Sequence, residues 1–244
     1  MVVNQPLKFQ GNHLEQNEHH MKTQTSSVLL RAVTLAVLVT TATSAWAVPN
    51  VSPGIIPIGA HAYGKSYGEW AAAWWTWGLT TPFSTSQITD PDGRYAAVNQ
   101  SGPVWFLAGN FGGTTVRNVT VPAGRALFFP IVNTFSGFLP FEEVDLPAAR
   151  QFCKDSIDSA ADLACEIDGR SVVNLSSYRE QTPVFRVTLP ADNLFDPAFG
   201  GMAIDPMVDE GIYLLLAPLT PGQHTIHWHG YLGSFDFELD VTYT

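Results

Sequence analysis

The sequence predicts a mainly β protein, built as an antiparallel β-sandwich of the jelly-roll-like or immunoglobulin-like kind. Three observations carry this prediction: short apolar segments recur after residue 90, Gly/Pro turns separate them, and residues 235–243 alternate strictly between apolar and polar. Two segments have helical character, a Trp-rich one near the N-terminus and one inside an insertion at about 138–168. We therefore expect one sandwich domain over residues 48–244, with these two helical additions.

Residues 1–47 are predicted to be a leader and a cleavable signal peptide, with Met21 as the true start of translation. After Met21 come a weakly basic stretch, an apolar run over residues 32–39 and a small-x-small cleavage motif at residues 45–47. The apolar run is shorter than the roughly 20 residues that span a bilayer, so we expect no integral membrane segment after cleavage. These features predict a secreted or periplasmic bacterial protein.

The chain is acidic, with 22 Asp and Glu residues against 12 Lys and Arg residues and a formal net charge of −10. A surface of that sign repels the phosphate backbone of nucleic acids, which we therefore exclude as partners. The partners that remain are glycans and components of the cell envelope.

The first predicted helix begins with a capping box, in which Ser66 is the N-cap and Glu69 the third helical residue. The helix continues to Trp77 and ends at Gly78, a residue type that commonly stops helices. Three Trp residues share one face at i, i+4 and i+7 spacing, whereas Trp75 points elsewhere. We expect the shared face to pack across a sheet and Trp75 to stay exposed, as a platform on which a sugar ring could stack.

The strands are predicted from apolar or alternating segments that lie between turn-forming residues. They cover residues 104–108, 116–121, 126–132, 170–174, 184–189, 212–216, 223–228 and 235–243. Strands that recur this closely are typical of a sandwich or a barrel.

The insertion at about 138–168 contains a helix, predicted from Leu146 to about Ser159, and both cysteines of the chain, Cys153 and Cys165. In an oxidising compartment, two cysteines this close in sequence normally form a disulfide. We therefore expect a Cys153–Cys165 disulfide that staples the insertion.

Two carboxylates, Glu142 and Glu143, lie in the loop that precedes this helix. A general acid or base of a carbohydrate-active enzyme could occupy such a loop. The alternative is that both are solvated surface acids, which is the usual state of loop carboxylates.

The last two strands are predicted to form a hairpin with one apolar face and one polar face. If residues 230–233 form the turn, Trp228 pairs with Phe235 on the apolar face, and His227 lies opposite Asp236 on the polar face. A slip of one residue would undo this pairing, because it turns every side chain to the other face.

The polar face of this hairpin is the predicted metal site. His227 and His229 point the same way at i, i+2 spacing, Asp236 or Glu238 could add an oxygen ligand, and His61 could add a third nitrogen from the N-terminal segment. Such a ligand set suits zinc or copper. The alternative is a plain polar sheet face that holds a cross-strand His–Asp pair.

The leading functional hypothesis is an exported, non-catalytic binding or structural module of the bacterial envelope or exterior, with glycans among its ligands. One alternative is a small zinc- or copper-binding protein or metalloenzyme that uses His227 and His229. A second alternative is a carbohydrate-active enzyme that uses the loop carboxylates. The sequence contains no G-x-S-x-G elbow, P-loop, HExxH or dinucleotide fingerprint.

Overall fold

The computed structural model describes residues 54–244, so the predicted leader and its start at Met21 lie outside the described residues. Within this range the chain forms two α-helices, α1 (Tyr67–Thr80) and α2 (Leu146–Asp158). The strands are β1 (Val104–Phe106), β2 (Gly113–Arg117), β3 (Ala126–Gly137), β4 (Ala160–Ile167), β5 (Arg170–Ser171), β6 (Arg179–Gln181), β7 (Phe185–Thr188), β8 (Ala203–Leu216), β9 (Ile226–Leu232) and β10 (Phe237–Tyr243). The prediction of a mainly β protein is confirmed. None of the helices in residues 54–244 has the length and apolar character that crossing a bilayer requires.

The strands form two five-stranded sheets. The first has the order β1-β3-β8-β6, with β7 also paired to β8, and the second has the order β2-β10-β9-β4-β5. β1 runs parallel to β3, and β2 runs parallel to β10. The remaining strand pairs of these two sheets are antiparallel.

The prediction of a purely antiparallel sandwich is therefore wrong at two strand pairs. After β1 the chain crosses to the second sheet, forms β2 and then returns, so that β3 re-enters the first sheet alongside β1 and in the same direction. A parallel pair requires such a crossover, and the periodicity of single segments does not reveal it.

The two central strands of the first sheet, β3 and β8, are buried on both faces over most of their length. On one face, Phe128 packs against Tyr67 of α1 with 5.9 Å between ring centroids, in a core that also takes in the α1 tryptophans. On the other face, Phe129 packs against Trp228 of the second sheet at 4.9 Å. The expected packing of α1 across a sheet is thus confirmed. A strand covered on both faces is apolar along its length, and this explains the apolar run at the end of β8.

The capping box of α1 is present as predicted. The Ser66 hydroxyl accepts the Glu69 N–H at 3.2 Å, and the Glu69 carboxylate accepts the Ser66 N–H at 2.7 Å. The helix continues past Gly78 to Thr80, so this glycine does not end the helix as predicted. A Cβ atom at Gly78 would lie 3.1 Å from the side chain of Ile88.

The final hairpin keeps its predicted faces but not its predicted register. Trp228 lies opposite Val241, and the turn occupies residues 233–236 in place of residues 230–233. The slip is an even number of residues, so the apolar side chains of Phe237–Tyr243 still face the core, whereas Phe235 lies in the turn and is 44% exposed. Gly230 is not a turn residue: a Cβ atom there would lie 2.5 Å from Val132, so this glycine allows β9 to pass close to the first sheet.

Cys153 and Cys165 are free thiols, and the predicted disulfide is wrong. Cys153 packs beside Val208 in a cluster under α2, whereas Cys165 lies in the core between the two sheets. Burial raises the pKa of the Cys165 thiol to about 12 and also raises the pKa of Cys153. Each cysteine behaves as a small apolar core residue, and their closeness in sequence does not bring their sulfur atoms together.

The predicted insertion is shorter than residues 138–168. Its helix is confirmed as α2, but the segment after it forms β4, which pairs with β9 so that Cys165 lies opposite Trp228. The last part of the expected insertion, Ala160–Ile167, is therefore a strand of the second sheet.

Candidate functional site

A cleft of about 630 Å³ opens where several strand ends of the two sheets meet. Its walls are two loops: residues 118–125, which join β2 to β3, and residues 219–224, which join β8 to β9. Gly124 and Gly222 have positive φ angles of 80° and 149°, and the prolines that precede them interrupt strand pairing. The turn chemistry of both loops thus ends the strands and leaves space between them.

The floor of the cleft is apolar and continuous with the core between the sheets. Leu107, Leu127, Ile226 and Tyr243 line the cleft and also belong to the inter-sheet core. Further apolar side chains on the walls pack partly against the same core, namely Val119, Val121 and Leu219. A molecule in the cleft would therefore contact the edge of the hydrophobic core.

The rim of the cleft is polar and uncharged over most of its length. Thr120, Thr220 and Gln223 are exposed there and offer hydroxyl and amide groups. No Asp or Glu side chain lines the cleft, although the chain as a whole carries a net charge of −10. Its basic side chains are Arg125 on one wall and His224 on the other.

Arg117 holds the structure beneath the floor. Its guanidinium is buried, with 1% of the residue exposed, and one nitrogen donates to the Tyr243 hydroxyl at 2.9 Å. The other acceptors of this side chain are main-chain carbonyl oxygens, those of Ile88, Asp90, Ala108 and Gly109. One buried side chain thus ties the loops around β1 to the end of β10.

His224 fixes the second wall. Its Nδ1 lies 2.7 Å from the Asp168 carboxylate, and its Nε2 lies 2.7 Å from the Thr220 carbonyl oxygen. Both neighbours are acceptors, so the ring satisfies both only when it is doubly protonated. The hydrogen bond to Asp168 raises the pKa of His224, which favours that charged form.

The residues of the predicted metal site are only partly brought together. His227 lies 3.1 Å from Asp240, and both nitrogens of His229 have acceptors, the Glu238 carboxylate at 2.8 Å and the Asp162 carbonyl oxygen at 2.7 Å. The shifted register makes Asp240 the partner of His227 in place of Asp236. Among residues 54–244, no three His, Cys, Asp or Glu side chains are grouped so that they could hold a metal ion.

The remaining two residues of the metal and hairpin prediction lie elsewhere. Asp236 is in the turn, where its carboxylate accepts the Tyr231 hydroxyl at 3.0 Å. His61 precedes a short 3-10 turn, Ala62–Gly64, on the N-terminal side of α1. His61 therefore belongs to the α1 side of the molecule, whereas His227 and His229 lie on the second sheet.

The predicted catalytic carboxylates lie in an exposed loop before α2. The Glu142 carboxylate accepts the N–H of Leu139 at 2.6 Å and so stabilises the loop in which it lies. Glu143 is exposed beside it. Neither residue lines the cleft.

Trp75 is buried, with 7% of the residue exposed, so the prediction of an exposed sugar platform is wrong. Its ring packs on Phe135 at 4.7 Å between centroids, and its N–H donates to Asp209 at 2.7 Å. The side of α1 on which Trp75 lies is therefore buried as well.

Asp209 is a buried acid that the sequence analysis missed. It is 0% exposed, and its second carboxylate oxygen accepts the Tyr213 hydroxyl at 2.7 Å. Burial raises its pKa to about 8, because no cation pairs with it by hydrogen bond or ion pair in the described chain. A signal was available, since Asp209 and Glu210 interrupt the otherwise apolar end of β8.

Comparison with protein-family models, with curated proteins and with solved structures found no match. The geometry of the described residues is therefore the basis for a functional proposal.

Proposed function

We propose that this protein is an exported, non-catalytic binding module that holds a small, predominantly apolar molecule in the cleft. One observation carries the proposal: the cleft joins an apolar floor, continuous with the core, to a rim of polar uncharged groups. Small-molecule sites in proteins have this composition, and their volumes of roughly 300–1,000 Å³ include that of this cleft.

The arrangement of the walls supports binding without chemistry. The rim groups Thr120, Thr220 and Gln223 can orient a ligand by hydrogen bonds. Among the residues that line the cleft, His224 is the one side chain near them that could act as a base. The ring nitrogens of His224 are both engaged with Asp168 and Thr220, so the imidazole serves to hold the wall.

An apolar ligand is favoured over a glycan. Sugar binding commonly uses an exposed aromatic ring, and Trp75 is buried. Tyr243, the aromatic residue in the cleft lining, is only 4% exposed and lies stacked on Trp228 in the core. The aliphatic side chains that are open to a ligand are the partly buried Val119, Val121 and Leu219 of the walls, so the cleft offers aliphatic contacts and no stacking surface.

The exported location is part of the same proposal. It is supported by the signal-peptide features of residues 21–47 and by a sandwich-like fold of two facing sheets, the jelly-roll-like or immunoglobulin-like arrangement that many extracellular binding modules share. The loops that form the cleft are gathered at strand ends, where such modules carry their ligand sites.

Thr120→Trp is expected to abolish binding of N-phenyl-1-naphthylamine, a neutral dye whose fluorescence rises in apolar sites. Thr120 is exposed on the rim, so an indole there can fill the mouth of the cleft without disturbing the core. Such a surface change should alter stability by no more than about 0.5 kcal/mol. Titration of the dye, followed by fluorescence, measures the effect.

The matched control is Thr114→Trp, which introduces the same ring at an exposed threonine of β2 outside the cleft lining. This variant should bind the dye as the wild type does. Saturable binding that survives Thr120→Trp, or the absence of dye binding to the wild type, would overturn the proposed function.

A further inference from the structure

We propose that the natural ligand is a small amphipathic acid, whose single anionic group pairs with Arg125 and whose aliphatic body lies on the cleft floor. This inference rests on the proposed function and adds to it the chemical class of the ligand. Neither the cleft nor Arg125 was identified from the sequence.

Arg125 is a cation without a partner in the part of the chain that the structure describes. No hydrogen bond or ion pair engages its guanidinium; Arg150 and Arg170 share this property, but neither of them lines the cleft. A guanidinium presents a planar fork of donors that matches a carboxylate in a bidentate hydrogen bond. Arg125 is half-buried at the cleft wall, so a ligand there could reach it.

The other basic residue of the cleft is not available for a ligand. The two ring nitrogens of His224 lie 2.7 Å from the Asp168 carboxylate and 2.7 Å from the Thr220 carbonyl oxygen, so both are already engaged. The main-chain oxygen of Thr244, also at the cleft, already accepts the Val119 N–H at 2.9 Å. Arg125 is therefore the charged side chain of the lining that remains unpaired.

The lack of acidic side chains in the cleft lining contrasts with the negative net charge of the whole chain. With a net charge of −10, the molecule repels anions at long range, and most of its surface would select cationic ligands. The cleft lining differs, since no acidic side chain stands beside Arg125 there. A cationic ligand would meet an unpaired like charge, whereas an anionic one would neutralise it.

The apolar lining defines the rest of the ligand. The aliphatic side chains within reach are the partly buried Val119, Val121 and Leu219 of the walls, since Leu107, Leu127 and Ile226 at the base are at most 5% exposed. Each buried methylene group of a ligand would contribute roughly 0.8 kcal/mol against such a surface. An alkyl or alicyclic body fits this chemistry better than a flat polar one.

The test uses three probes with the same eight-carbon chain and different head groups: octanoate, 1-octanol and octylammonium. Each displaces N-phenyl-1-naphthylamine from the wild-type protein and from Arg125→Met at neutral pH. We expect Arg125→Met to weaken octanoate roughly tenfold and to change 1-octanol by less than about twofold. Octylammonium should bind the wild type more weakly than octanoate does, and Arg125→Lys should restore part of the octanoate affinity.

The control is Arg186→Met, which removes an exposed arginine on β7 that does not line the cleft and should leave all three affinities unchanged. If Arg125→Met weakens octanoate and 1-octanol equally, or if octylammonium binds as tightly as octanoate, the ligand class is wrong while the binding function stands. If the dye does not bind the wild type at all, the proposed function itself fails.

Discussion

Arg117→Met should destabilise the fold by on the order of 4 kcal/mol or more. The guanidinium is buried and donates to the carbonyl oxygens of Ile88, Asp90 and Gly109. A methionine fills much of the same space but donates nothing, and each buried acceptor left without a donor costs about 1–3 kcal/mol. Urea denaturation followed by tryptophan fluorescence measures the loss.

Arg125→Met is the matched control, since it makes the same change at an arginine that has no partner and lies half-exposed at the cleft wall. Its effect on the free energy of unfolding should stay within about 0.5 kcal/mol. Equal urea midpoints for the two variants would contradict the role assigned to Arg117 as the support of the cleft floor.

Asp209→Asn should stabilise the protein increasingly as the pH rises from about 4 to about 8. Burial raises the pKa of Asp209 from 3.8 to about 8, so in this interval the folded chain keeps a proton that the unfolded chain has released. The wild type therefore loses stability with rising pH, and the full penalty, on the order of 5 kcal/mol, is reached above the folded-state pKa. Asparagine stays neutral and can still accept the Trp75 N–H and donate to the Tyr213 hydroxyl.

The measurement is the difference in unfolding free energy between variant and wild type across this pH range. Asp205→Asn serves as the control, because Asp205 is also on β8 but is half-exposed and faces Arg186. A difference between Asp209→Asn and wild type that does not change with pH would show that Asp209 is already ionised in the folded protein at low pH.

Local features of the fold were predictable because neighbouring residues determine them. The capping box of Ser66 and Glu69 fixes the start of α1, and the Asp145–Ala148 hydrogen bond fixes the start of α2. The faces of β9 and β10 follow from alternation alone. Their register does not follow from alternation, because the sequence predicts a turn at Gly230, whereas this glycine lies against Val132 of the other sheet.

Features that join distant segments were not predictable from one sequence. Cys153 and Cys165 are close along the chain, yet they face different clusters because α2 ends and β4 begins between them. The cleft depends on two loops about a hundred residues apart, residues 118–125 and 219–224, each of which reads only as a turn. Trp75 was misplaced for the same reason, since its partner Asp209 lies far along the chain.

Intermolecular nuclear Overhauser effects between bound N-phenyl-1-naphthylamine and protein methyl groups test most directly whether the cleft is the ligand site. We predict contacts from the dye to the methyl groups of Leu127, Leu219 and Ile226, which line the cleft. Contacts that map instead to the surroundings of Phe83 or Phe141, exposed rings that do not line the cleft, with none to these three residues, would contradict a binding function for the cleft.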